Sequence, residues 1–498
     1  MGQTPSLWLA SALIVPLYGA FIGALSGCSA HPAMGEPQVV RPTQSASDSM
    51  APPALTSPTN ATPARALPDS LAEPLHPIWN EELLALRFAA QKRVLGDEWV
   101  QDEKGSTPPA GENVTNGYSL GVFIPVENEQ SLTHFHTELE RLATGSKRRL
   151  RILAYGASHT QGDLYTGYLR AYLQSRFGNG GQGFMQMVAM NPWYQTLDHR
   201  VKSNGFRVQY AQKKVPEPEG IFGLLGAAAV GYSQYALASV FPKNESDPAL
   251  TASSYELFFF AQNDGGDFTL SVDSEPRARV SARGPNEARY HTLQLANGWH
   301  HLTVRPGGNG NVRLFGVSIE RDEPGLVIDT LGLNGTRQAN VLSWNQELWT
   351  EHLRRRAPDL VLFAYGTNEA LDTRQPIGAY RKDLKEVLTR FRRALPEASC
   401  VLVGPGDFPS AVPGGYSPRP RLVEVKEVQR EVAPTFNCGF FDTYKFMGGE
   451  GAMQRWVNAS PPMAAPDHIH LRPRGYVKLG MTLGDALLRA YDEFHVRH

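Results

Sequence analysis

The sequence predicts an α/β fold: a doubly wound parallel sheet of five strands with an inserted β-sandwich or jelly-roll domain. Three observations lead there. Short, continuously apolar runs alternate with helical patterns, as in a parallel sheet covered on both faces. The gap between the first and second of these runs, from about Arg200 to Asp322, carries only short β runs separated by Gly, Asn and Pro clusters. Lastly, polar residues of catalytic type fall just past several strand ends, where open α/β sheets bind their ligands.

At the amino end, Leu7 to Ile22 is an apolar run followed by Gly23-Ala24-Leu25-Ser26-Gly27-Cys28. It is too short and too early for an ordinary membrane span, and it ends in small residues as a signal peptide does. Leu25-Ser26-Gly27-Cys28 resembles the bacterial lipobox, which implies lipidation of Cys28 as the new first residue; the pattern departs in having no Lys or Arg before the run. An uncleaved anchor is the alternative, and either way the protein leaves the cytoplasm. The start Met1-Gly2-Gln3-Thr4-Pro5-Ser6 also fits a myristoylation pattern, on weaker grounds than the complete signal-like segment. Residues 1–28 are thus expected to be a lipoprotein-type signal, giving a periplasmic or cell-surface protein held at the membrane by a lipid. Residues 29–75 are Pro, Ala, Ser and Thr with few large apolar side chains, and they read as a disordered tether.

The α/β domain is expected to begin within residues 76–199, after an extension. Leu132, Phe135, Leu139 and Leu142 recur at helical spacing until Gly145. Leu150 to Ala154 reads as the first strand, and Tyr165, Leu169, Tyr172 and Leu173 as the helix after it. Residues 200–322 hold the inserted domain, with β runs such as Tyr255 to Phe260, Phe268 to Val272 and Val312 to Ile319. Residues 323–498 supply the remaining strands at Leu326 to Asp329, Leu360 to Ala364, Cys400 to Val403 and Gly439 to Asp442. The clearest helices there carry Tyr380, Leu384, Leu388, Phe391 and Leu395, then Tyr476, Leu479, Leu483, Leu487 and Tyr491.

Composition excludes several classes. Among 498 residues, 48 Lys and Arg face 49 Asp and Glu, which leaves no basic surplus for nucleic acid. Three cysteines make neither a disulfide framework nor a four-cysteine zinc site. Cys400 and Cys438 begin successive strands, about 4.8 Å apart if adjacent. A bridge and two small buried hydrophobes are equal alternatives for them. His134 and His136 lie two apart on a helix and point to different faces, so no metal site is expected. No cofactor is expected either.

Past the first strand comes Tyr155-Gly156-Ala157-Ser158-His159-Thr160, and past the second Leu331-Gly332-Leu333-Asn334-Gly335. Tyr365-Gly366-Thr367-Asn368-Glu369 follows the third, and Pro466-Asp467-His468-Ile469-His470-Leu471 precedes the last helix. A hydroxyl, two glycine turns, an amide, a carboxylate and an imidazole are the inventory for acyl transfer. These four segments together resemble the SGNH (GDSL-like) esterase superfamily, which implies a flavodoxin-like sheet. Gly156 to Phe184, with Ser158-His159-Thr160-Gln161-Gly162-Asp163 and Gly178-Asn179-Gly180-Gly181-Gln182-Gly183-Phe184, is similar to its peptidoglycan O-acetylesterase and acetyltransferase branch. That branch carries a carbohydrate-binding-like β domain between its first two motifs.

By this resemblance Ser158 is the nucleophile, His470 the base that takes its proton, and Asp467 the carboxylate that orients the imidazole. The N–H groups of Ser158 and Gly335 and the side-chain amide of Asn368 form the oxyanion hole. Two positions depart from the family: Ala157 replaces the aspartate before the serine, and Glu369 replaces the second carboxylate of the third motif. His468 is a rival for His470 and Asn334 for Asn368, while Gly335 also reads as a turn glycine needing positive φ. Lys147-Arg148-Arg149 and Arg354-Arg355-Arg356 are expected to be solvated. Trp193, Tyr194 and Trp299 are rings able to stack on sugar, with a core role preferred.

The resemblance thus implies a serine esterase acting on acyl esters, O-acetyl first, of an envelope glycan with peptidoglycan leading. Its alternatives are an O-acyltransferase and a catalytically silent glycan-binding lipoprotein, the latter motivated by Ala157. Oligomeric state is left open.

Overall fold

Strand β1 (Arg149–Gly156) holds the predicted run Leu150 to Ala154 and lies inside a five-stranded, all-parallel sheet. This computed structural model describes residues 81–96, 123–211 and 220–497. The expected signal, Cys28 and the tether at 29–75 lie outside the described residues. The other strands are β2 (Gly325–Gly332), β3 (Leu360–Ala364), β4 (Ser399–Val403) and β5 (Gly439–Phe441), in the order β2-β1-β3-β4-β5. This is the flavodoxin-like order, and its direction reverses at β1, where Ile152 pairs with Ile328 on one side and Leu360 on the other. The open end of the sheet beside such a switch point is where ligands sit.

Helices cover both faces. On one, Thr133–Ala143, Tyr165–Phe177 and the long Pro473–Arg497 pack together. On the other lie Gln346–Arg356, Ile377–Ala394 and Pro420–Val432. In Ile377–Ala394 the buried residues Tyr380, Leu384, Val387, Leu388, Phe391 and Ala394 recur three or four apart, so one stripe meets the sheet. Asn345 caps Gln346–Arg356 by accepting from the Leu348 N–H at 2.9 Å. A disulfide joins Cys400 and Cys438, with Cα atoms 4.7 Å apart, because Val401 pairs with Gly439 and the preceding residues fall side by side. Among the described residues no helix is long and apolar enough to cross a membrane.

The insert is two antiparallel sheets. One orders its strands 287–298, 252–261, 312–320, 227–231 and 207–210; the other runs 199–204, 237–242, 302–306, 267–272 and 275–281. Phe259 and Phe268 meet edge to face across them, with ring centroids 5.2 Å apart. The β arrangement begins earlier than residue 200, because Gly183–Met185 already pairs with 312–320. Phe258-Phe259-Phe260 is a continuous apolar run because its strand is buried on both faces. Phe259 fills the sandwich core, whereas Phe258 and Phe260 face the α/β domain.

The expectation that Arg354-Arg355-Arg356 is solvated is wrong for Arg356, which is 2% exposed. Its guanidinium bonds both Asp329 oxygens (2.7 and 2.8 Å), Ser318 Oγ (2.8 Å) and Glu320 Oε1 (2.8 Å). Arg151 and Arg149 also reach Glu320. A charge this deep persists only when paired, and the partners lie on strands far away in sequence. Lys147 is likewise paired, with Glu138 at 2.7 Å and Asp359 at 2.5 Å.

Candidate active site

Ser158 opens the short helix Ser158–Gln161 two residues beyond β1. Neither Gly156 nor Gly332 has room for a side chain. A Cβ on Gly156 would lie 2.0 Å from Thr160 Oγ1, and one on Gly332 would lie 2.1 Å from the Gln161 amide nitrogen. Glycine at both positions lets the serine turn sit against the ends of β2 and β3. Ala157 is 6% exposed in this close-packed turn, the site where the family carries aspartate.

The loop before the last helix brings the other two residues in. An Ala464–Leu471 bridge and the bond from Ala465 N–H to His470 O (2.8 Å) close it into a tight turn. His470 Nε2 lies 2.9 Å from Ser158 Oγ, and its Nδ1 lies 2.6 Å from Asp467 Oδ2. Asp467 Oδ1 accepts the N–H groups of Ile469 and His470, each at 3.0 Å. Burial pushes the Asp467 carboxyl up, but these bonds outweigh it and hold the group at about 2. It is therefore a fixed anion at neutral pH. With Asp467 accepting at Nδ1–H, Nε2 of neutral His470 presents a lone pair to the serine hydroxyl. The rival His468 faces elsewhere: its ring lies on Tyr416, centroids 3.9 Å apart.

Asn368 stands at the start of the short helix Thr367–Leu371, and its Nδ2 donates to Thr336 O at 2.8 Å. That bond fixes the amide plane by one of its two N–H groups. Gly335, at φ +74°, lies beside Thr336 in the turn after β2. Glu369 has a role that its place in the motif conceals. It is 2% exposed, and its carboxylate accepts the N–H groups of Gln338 (2.8 Å) and Gly366 (2.9 Å). It thereby ties the turn after β2 to the turn after β3.

Several residues around the site escaped sequence reasoning. Gln161 and Asn191 exchange two amide bonds of 3.0 and 3.1 Å, and Gln161 Oε1 also accepts the Asn334 N–H at 2.8 Å. Asp163, 1% exposed, gathers Arg170, Thr166, Thr330 and the Leu197 N–H. His159 Nδ1 lies 2.9 Å from Tyr476 Oη, and its ring sits 5.2 Å from that of His470. Burial, with His470 nearby, pushes His159 down to about 3, so it is neutral at physiological pH. Among the described residues no group of three His, Cys, Asp or Glu is placed to hold a metal ion.

A serine, a histidine and a carboxylate in one hydrogen-bonded row beyond a flavodoxin-like sheet narrow the possible relatives. Residues 295–478 match the GDSL-like Lipase/Acylhydrolase family. The chain carries a GDSL-like acylhydrolase domain of the SGNH type. It is accordingly a hydrolase acting on esters. The matched segment begins inside the sandwich and leaves out β1 and Ser158, which the insert separates from the rest of the domain. Among solved structures, the chain is similar to a peptidoglycan O-acetylesterase at 25% identity and a TM-score of 0.62, over 74% of this chain and 99% of that one. Family two carbohydrate esterases also align, at 11% identity and TM-score 0.24 for an active-site mutant from Clostridium thermocellum (59% of this chain, 99% of that one). The enzyme from Cellvibrio japonicus aligns at 9% identity and TM-score 0.24 (59% and 98%). No curated protein matches the sequence.

Proposed function

We propose that the chain is a serine esterase that removes O-acetyl groups from an envelope glycan, with peptidoglycan as the carrier. The observation that carries this reading is the hydrogen-bonded row Ser158–His470–Asp467 at the open end of the sheet. The likeness to a peptidoglycan O-acetylesterase supports the choice of ester and carrier.

In this mechanism His470 Nε2 takes the Ser158 proton as Oγ attacks the ester carbonyl. The carbonyl oxygen becomes negative and is bound by the Ser158 and Gly335 N–H groups and the amide of Asn368. His470, charged at this stage, is stabilised by Asp467 and then gives its proton to the departing sugar hydroxyl. Water, deprotonated by His470, attacks the acyl-enzyme carbonyl; acetate leaves, and Ser158 regains its proton. Asp467, held at about 2, remains ionised throughout.

The same proposal places the protein outside the cytoplasm, lipidated at Cys28 and held to a membrane through the segment 29–75. Mass spectrometry of the mature amino terminus tests that part; an unlipidated start elsewhere contradicts it. For the activity, the purified protein is incubated with O-acetylated peptidoglycan and with other acetylated glycans, and free acetate is measured. Fastest release from peptidoglycan is expected, and faster release from another glycan would reassign the carrier.

A further inference from the structure

Trp193 is a large aromatic residue in the loop that Asn191 ties to Gln161 of the serine turn. The core role preferred for it from sequence does not hold, since it is 66% exposed. Its neighbour Tyr194 is turned inward, with its hydroxyl accepting the Gln186 N–H at 3.1 Å. Trp299 spends its indole N–H on Asp247 O at 2.8 Å. An exposed indole offers a large, rigid apolar face that a ligand can cover.

The backbone on either side of Trp193 is held by side-chain hydrogen bonds. Asn191 Oδ1 accepts both the Trp193 N–H (3.0 Å) and Gln161 Nε2 (3.1 Å). Gln161 lies on the same helical turn as Ser158, and its Oε1 accepts the Asn334 N–H next to Gly335. On the far side, the Leu197 N–H is bonded to buried Asp163 at 2.8 Å. The ring is thus mounted on the same hydrogen-bonded frame that sets the serine turn and the turn after β2. A rigid aromatic face loses little conformational entropy on binding, which is what a recognition platform requires.

We propose that Trp193 is a sugar-stacking platform, taking the apolar face of a pyranose ring beside the ester so that the acyl group lies over Ser158. The chemistry is the pairing of the electron-rich indole face with the axial C–H groups of a sugar. This rests on the glycan-esterase reading above and adds the residue that reads the glycan. It predicts that sugar-borne esters depend on Trp193 more than simple aryl esters do.

Two assays test it in the full chain. First, kcat/KM of Trp193→Ala is compared with the parent on soluble O-acetylated peptidoglycan fragments and on an aryl acetate. The loss on the fragments is expected to exceed that on the aryl ester by about tenfold, carried by KM, which corresponds to ~1.4 kcal/mol. Trp193→Phe should restore most of it. Equal proportional losses on the two substrates, or none on either, would overturn the proposal. Second, calorimetry measures binding of the same fragments to Ser158→Ala and to Ser158→Ala/Trp193→Ala. Weaker binding in the double variant is expected; equal binding, or none to Ser158→Ala, overturns it. Because this arm needs no turnover, a parent without esterase activity would sink the functional reading and still leave the platform decided.

Discussion

In the proposed mechanism Ser158, His470 and Asp467 act as one unit, so their losses should not add. Ser158→Ala and His470→Ala should each remove nearly all turnover, and the double variant should lose little more. Asp467→Asn keeps the loop's shape but favours the wrong imidazole tautomer, and kcat should fall about 10⁴-fold, as in the serine-protease precedent. Asn368→Ala should cost less, about 10²–10³-fold, because two backbone donors remain. Steady-state kinetics on an aryl acetate check all of these. The pH profile follows from the fixed charges around the base. Asp467 sits at about 2 and His159 at about 3, so neither changes charge between pH 5 and 8. In the proposed mechanism His470 can accept the serine proton only in its neutral form. Activity should therefore rise with pH as the base loses its proton, and a falling profile would contradict the assignment. That these three side chains meet was legible, because their motifs carry chemistry in a fixed order. Glu369 was not: its oxygens hold the N–H groups of Gln338 and Gly366, and such acceptor roles leave no sequence pattern.

At the level of elements, the seam between the sheet and the sandwich combines one buried ionic cluster with one buried imidazole. Arg356→Met would leave Asp329, 0% exposed, without its guanidinium, and should cost about 3–5 kcal/mol in denaturant unfolding. His352, also 0% exposed, is packed among Phe258, Tyr290 and Phe315. Burial pushes it down from 6.5 to about 3. As pH falls below 6.5 the unfolded chain therefore binds a proton that the folded one refuses, and stability drops toward pH 3. Melting temperatures between pH 7 and 4.5 should fall less steeply in His352→Leu. Some slope should remain, since His159 and His199 are depressed by burial in the same sense. The strands and helices themselves were readable, because apolar runs and helical periodicity are local. Arg356 was misread because its partners come from strands that meet it only in the fold.

For the whole molecule, the sequence disclosed the α/β class and the β insert but left the Cys400–Cys438 pair undecided, since the choice depends on register between two strands. The structure bonds them across 38 residues of chain. Replacing both with alanine should cost about 2–4 kcal/mol of stability. Denatured, non-reduced protein should show no titratable thiol at either position. The insert parts Ser158 from the turns after β2 and β3, so the site forms only when β1 and β2 pair across the chain between Gly156 and Gly325. The most direct test of the account compares the parent and Ser158→Ala on an aryl acetate, using the full chain at equal concentration. Turnover by the parent and almost none by Ser158→Ala is the predicted result. Equal rates in the two proteins would contradict it.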